Sequence, residues 1–279
     1  MLTKSLPQVP FGRHMISRLI LGDNTINAGS HLSRFVKEEM RRYFTPKKVM
    51  KLLTDCDREG ITAWQSNPNM IDNYLQHRSA GGSLQFISLG REDPDNPDGI
   101  ERLVKAGAIG IAHHGEIADR LFKEGKLDTI RGFLCKVRDA GLRVGISTHM
   151  PDVVDYVESH GWEVDFYMTC VYERHRSREQ LKELLGYVPI PEREVYLEED
   201  PPRMFAAMRN TSKTCLAFKI LAAGRLCDKQ ELVEKAFQET FKQIKPTDAV
   251  IVGIYPKYEN QVALNADYVR QFSALSEQP

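Results

Sequence analysis

The stretch "LRVGISTHMPDVVDYVESHG", residues 142–161, changes its hydrophobic period half-way along. Its first part, "LRVGISTH" (142–149), is apolar at successive positions, as a parallel strand covered on both faces must be. Its second part, "MPDVVDYVESHG" (150–161), has proline near the first helical position, apolar residues at helical spacing and a terminal glycine. A doubly covered strand followed by a helix is one β–α unit. Parallel strands require such a crossover between them.

The same unit recurs along the chain. Further strand-like runs are "SRLILGDN" (17–24), "ITAWQS" (61–66), "LQFISLG" (84–90), "AIGIAHH" (108–114), "EVDFYMTC" (163–170), "CLAFKIL" (215–221) and "DAVIVGIY" (248–255). Between them, "TPKKVMKLLTDCDREG" (45–60) has Thr45 as N-cap, Pro46 at the first helical position and Gly60 as stop. Helical spacing also marks 95–107, 116–141 with a break at Gly125, 230–244 and 259–275. Eight β–α pairs in 279 residues predict an α/β fold, a single (β/α)8 TIM barrel spanning 1–279. The least regular stretch is 171–200, where "RSREQLKELLG" predicts a short extra helix in a loop fit to contact substrate.

Composition narrows the partners. The 38 basic side chains balance 38 acidic ones, so no general field draws the chain to nucleic acid or to a membrane surface. The apolar runs are strand-length, too short to span a bilayer. The opening "MLTKSLPQVPFGRH" has no apolar signal core, which points to a cytoplasmic protein. The five cysteines are scattered without a CxxC pair and read as reduced thiols. The expected partner is a small-molecule substrate.

In this fold the active site lies at the carboxyl ends of the strands. Those ends carry Asp23 and Asn24, Gln65 and Asn67, Arg91 and Glu92, then His113, His114 and Glu116. They continue with His149, with Cys170, Tyr172, Glu173 and His175, with Lys219, and with Tyr255 and Lys257. Two chemistries fit this rim. In one, His113 or His114, His149 and Glu173 bind a divalent metal, zinc, manganese, iron or cobalt, with positions left for substrate. In the other, a histidine with Glu173 exchanges protons while Lys219 stabilises an oxyanion or forms a Schiff base. Asp23, Asn24, Gln65, Asn67, Arg91, Tyr172 and Tyr255 are the expected substrate contacts. Adjacent strand residues face opposite sides, so only one of His113 and His114 can face the axis. The bland alternatives are a structural histidine there, a rim role for His149 and a solvated charge run at 173–176. Lys219, inside "AFKIL", resists such a reading because an unpaired lysine in an apolar strand is costly.

Four stretches resemble the aldo/keto reductase family: "PFGRHMISRLILGDNT" (10–25), "AGLRVGISTHMPDVVDYVESHGWEVDFYMTCVYE" (140–173), "LAFKILAAGRL" (216–226) and "VGIYPKYENQVALNA" (252–266). The resemblance implies a barrel opened by a hairpin and an NADP(H) cofactor held near the last strand. It also implies a tetrad of aspartate, tyrosine, lysine and histidine. Here Gln65 stands at the aspartate position, "NPNMID" (67–72) lacks the tyrosine, and Leu89 stands at the lysine position. Only the histidine is matched, by His113 or His114. The family's serine–asparagine pair reads Thr148–His149, Tyr172 stands for its stacking tyrosine, and Lys257 remains of its phosphate-binding cations. A tyrosine made acidic by lysine is the reductase's proton donor, and this sequence lacks both. The sequence therefore predicts isomerase-, epimerase- or lyase-type chemistry on a polar carbonyl or sugar-like substrate. The alternatives are an NAD(P)H oxidoreductase with another proton donor and a non-catalytic, ligand-binding relative.

Overall fold

A computed structural model describes residues 5–92 and 98–277. Two short strands, β1 (Gln8–Phe11) and β2 (His14–Ser17), form an antiparallel hairpin that turns at Gly12 with φ +65°. The eight that follow are β3 (Leu19–Gly22), β4 (Ala63–Ser66), β5 (Gln85–Gly90), β6 (Gly110–His113), β7 (Arg143–Thr148), β8 (Phe166–Cys170), β9 (Thr214–Phe218) and β10 (Ala249–Gly253). All eight pair in parallel and close into one barrel, β10 returning to β3. This is the (β/α)8 barrel the sequence predicts.

The helices are α1 (Arg34–Tyr43), α2 (Pro46–Arg58), α3 (Ile71–Ser79), α4 (Gly99–Ala106), α5 (Gly115–Lys123), α6 (Arg131–Asp139), α7 (Pro151–Ser159), α8 (Arg178–Leu185), α9 (Asp200–Asn210), α10 (Gln230–Gln243) and α11 (Gln261–Phe272). Thr45 caps α2 by accepting from the Lys48 amide at 3.4 Å. Ser177 and Gln180 form a reciprocal capping box that starts α8 inside the long loop. The helix expected from residue 95 begins at Gly99, and residues 95–97 lie outside the described residues. No helix among the described residues is long and apolar enough to cross a membrane.

Two cores result from strand alternation. Leu19, Leu21, Trp64, Ile111 and Ile146 face the helix layer, while Ile20, Ala63, Ile87, Ala112, Phe166, Met168, Leu216 and Ile251 fill the barrel. The hairpin closes the amino-terminal mouth. Phe11 enters the barrel core with its ring 4.8 Å from that of Phe166, edge on, and the Arg143 guanidinium covers it at 4.9 Å. The carboxyl-terminal mouth is left open. Phe11→Ala is expected to cost about 3–5 kcal/mol, the range for emptying a buried aromatic site. Denaturant unfolding monitored by circular dichroism checks this, and a loss below about 1 kcal/mol would contradict the plug role.

Candidate active site

A cavity of about 440 Å³ opens at the carboxyl ends of the strands. Leu89, Met168, Phe218 and Ile251 form its apolar floor. Above them it is lined by Asp23, Asn24, Gln65, His114, Ser147, His149, Arg174, Lys219 and Tyr255, among others.

Two carboxylates are built into the wall by different means. Asp23 follows β3, and four hydrogen bonds converge on its Oδ2. They come from Ser66 Oγ (3.0 Å), the Asn67 amide (3.1 Å), Asn67 Nδ2 (2.7 Å) and Asn27 Nδ2 (2.9 Å). Burial nevertheless raises its pKa. Asp119 sits on α5, which packs closely on β7 because residue 115 is glycine. A Cβ there would stand 2.9 Å from Ser147 Oγ. That approach lets Asp119 reach the end of β7. It accepts from Thr148 Oγ1 (2.5 Å), from the His149 amide (3.2 Å) and from His149 Nδ1 (2.7 Å). Burial pushes the Asp119 carboxyl up to about 6.

The Asp119 contact fixes the chemistry of His149. A carboxylate only accepts, so Nδ1 carries the proton and Nε2 holds the lone pair. Burial first, then the charge of Lys219, pushes the His149 pKa well down, so the ring is neutral. His175 stands edge-on to it, ring centres 4.8 Å apart, with its Nε2 3.6 Å from Asp119 Oδ2 and lacking a hydrogen-bond partner among the described residues.

Lys219 follows β9. Phe218 faces the barrel, so alternation would send Lys219 into the helix layer. A left-handed backbone at Lys219, φ +61°, breaks the alternation, and Lys219 lines the cavity instead. Such a conformation is strained for a side chain with a Cβ, and strain of this kind collects at functional sites. Among the described residues its Nζ has no hydrogen bond or ion pair, only the Phe218 ring at 5.6 Å. Burial lowers its pKa, and Arg174 lowers it further.

The structure departs from the sequence reading at several positions. His113 and His114 separate as alternation requires. His113 points into the helix layer, its ring 5.4 Å from Phe133, and burial pushes its pKa down to about 4; His114 lines the cavity. Glu173 is buried away from the cavity and taken up by Arg203 (2.7 Å) and Arg176 (3.4 Å), so it is not free for metal or proton work. The set His113, His149 and Glu173 is therefore not brought together. The group that converges instead is Asp119, His149 and His175, each offering one ligand atom, all within 4.8 Å of one another. Arg91 is exposed and lies in a neighbouring depression rather than the cavity. Asn67 serves Asp23, and Tyr172 packs on Tyr196 with ring centres 5.1 Å apart. Asp23, Asn24, Gln65, Tyr255 and Lys219 line the cavity as expected. Lys257 is paired with Glu39 and lies outside it.

No family model matches the chain, and no curated protein does. Solved structures do match. A truncated 3-deoxy-D-arabino-heptulosonate 7-phosphate synthase from Thermotoga maritima superposes with a TM-score of 0.54 at 10% identity, covering 98% of this chain and 93% of that one. A phospho-2-dehydro-3-deoxyheptonate aldolase (DAHP synthase) from the same organism gives 0.54 at 10% identity, over 98% and 74%. The 3-hexulose-6-phosphate synthase of Salmonella typhimurium gives 0.48 at 12% identity, over 92% and 99%. What the first two share with this chain is the barrel. At this identity the likeness shows the fold and lends nothing to the finer resemblance to aldo/keto reductases.

Sequence reasoning missed Asp119, Arg174 and His31. Asp119 had a signal: it falls on the same buried face of α5 as Gly115 and Ala118, where a carboxylate needs a partner. Asp119→Asn is expected to keep the fold but present an amide to His149 Nδ1. Imidazole nitrogen NMR then shows the proton of His149 leaving Nδ1 for Nε2. An unchanged tautomer would contradict the assigned dyad.

Proposed function

We propose that the protein is an enzyme acting on a small, polar, sugar-like carbonyl compound by isomerase-, epimerase- or lyase-type chemistry, with Lys219 as the amine nucleophile. The observation that carries this reading is a half-buried lysine, without a hydrogen bond or ion pair among the described residues, turned into a cavity by a strained backbone. Such a lysine loses its proton more readily than an exposed one, which favours it as a nucleophile.

The neutral Nζ adds to the carbonyl carbon, and the carbinolamine loses water to give a protonated imine. That imine draws electrons from the adjacent carbon. Either a proton leaves that carbon, or the next carbon–carbon bond breaks and its electrons are held as an enamine. His149 Nε2 accepts the proton and returns it to a neighbouring carbon for isomerisation; epimerisation requires that the proton return to the opposite face of the same carbon. Asp119 keeps the ring oriented and offsets the imidazolium charge. Water then releases the product and restores the amine. Asn24, Gln65 and Tyr255 line the cavity as hydroxyl contacts, and the Tyr255 hydroxyl has no hydrogen-bond partner among the described residues.

A second reading is favoured by the orphaned Nε2 of His175. Asp119, His149 and His175 form a nitrogen–oxygen donor set suited to zinc, manganese, iron or cobalt. Bound there, such a cation would supply Lewis-acid polarisation of the carbonyl.

Incubation with hydroxyacetone or pyruvate and cyanoborohydride tests the first reading. The expected result is one reduced adduct per chain, mapped by mass spectrometry to Lys219 and absent in Lys219→Met. Because the Lys219 pKa is lowered, adduct formation is expected to rise with pH at values below those needed for exposed lysines. An absence of adduct, or one spread over surface lysines, would overturn this reading. Near-stoichiometric metal in protein purified without chelator would then favour the second.

A further inference from the structure

Arg174 lies one turn of loop beyond β8 and lines the same cavity. It is 7% exposed, so nearly all of its guanidinium surface is removed from water. A buried guanidinium needs its five N–H groups satisfied. Among the described residues only Nη2 is hydrogen-bonded, to Glu194 Oε1 at 2.6 Å. Nε is buried with no hydrogen-bond partner there, and Nη1 has Glu116 Oε1 only at 3.9 Å, beyond hydrogen-bond reach. Nη1 is therefore an unfilled donor on a residue that lines the cavity.

Glu194 holds Arg174 from one side and gathers a second cavity residue with it. The same Oε1 meets His31 Nδ1 at 3.1 Å, while Oε2 accepts from the Tyr196 hydroxyl at 3.1 Å and lies 3.7 Å from Arg225 Nη2. Arg225 in turn lies over the Tyr196 ring at 4.1 Å and donates to the His31 carbonyl at 3.2 Å. One carboxylate thus ties three loops together and sets Arg174 and His31 side by side in the cavity wall. Lys219 is near enough that its charge bears on both His31 and His149.

We infer that the substrate carries an oxyanion, a carboxylate or a phosphate, and that Arg174, with His31 beside it, receives that group while Lys219 engages the carbonyl. The inference rests on the proposed function for the carbonyl half alone; the anion site stands on the open guanidinium. Nη1 of a guanidinium fixed in plane suits a charge-assisted hydrogen bond to a carboxylate or phosphate oxygen. Glu194 is a positioning residue. It holds Nη2 and leaves Nη1 to the ligand.

The test is calorimetric titration of the wild-type protein with inorganic phosphate and, separately, with oxalate. Saturable binding of at least one is expected, and which one binds distinguishes a phosphorylated from a carboxylic substrate. The double variant Arg174→Met/Glu194→Gln removes both charges of the buried pair, and circular dichroism checks that it folds. In it the affinity is expected to fall by at least about tenfold. Arg174→Lys, which retains the charge and loses the guanidinium held in plane by Glu194, provides a second variant with an expected weakening of about tenfold. No saturable binding of either anion, or equal affinity in the Arg174 variants, would overturn the inference. Anion binding without a Lys219 adduct would leave the anion site standing and remove the carbonyl reading. The converse result would do the reverse.

Discussion

A closed parallel barrel lets each strand present only every second side chain to its axis, and every feature of this site follows from that constraint or from its local breach. Alternation sends Ile111 and His113 into the helix layer and Ala112 and His114 toward the axis. It points Leu89, Met168, Phe218 and Ile251 to the barrel axis, where they floor the cavity. The breach is at Lys219, where a left-handed residue turns back a side chain that the strand would have buried outside. The hairpin closing the opposite mouth leaves the carboxyl-terminal end as the open one.

Electrostatics then sort the polar residues that alternation admits. Burial acts on all of them, disfavouring the charged form of Asp23, Asp119, His149 and Lys219 alike. Their partners set them apart. Asp23 is held by four hydrogen bonds to one oxygen, Asp119 is committed to His149, and Lys219 is committed to nothing. A carboxylate that orients an imidazole beside an uncommitted amine is an arrangement for moving protons next to a carbonyl.

Much of this was legible in the sequence because it is local. Apolar runs covered on both faces mark all eight barrel strands, and strand ends mark the polar rim. Helix α1 was not legible, since none of its residues is buried. The choice between His113 and His114 needed the strand's phase, which a two-residue ambiguity hides. Glu173 looked free because Arg203, which neutralises it, lies 30 residues away. His31 and Glu194 are 163 residues apart, and nothing local announces their contact. Lys219 was legible as an anomaly in an apolar strand; the backbone turn that aims it was not.

The account depends most on Lys219 being a neutral, reachable amine. Trace acylation across a pH series, quantified peptide by peptide by mass spectrometry, reads the titration of each lysine in the folded protein. Lys219 is predicted to gain reactivity at lower pH than exposed lysines such as Lys105, which the solvent leaves open on α4. A Lys219 that titrates together with Lys105, or that stays unreactive at every pH, would contradict the account.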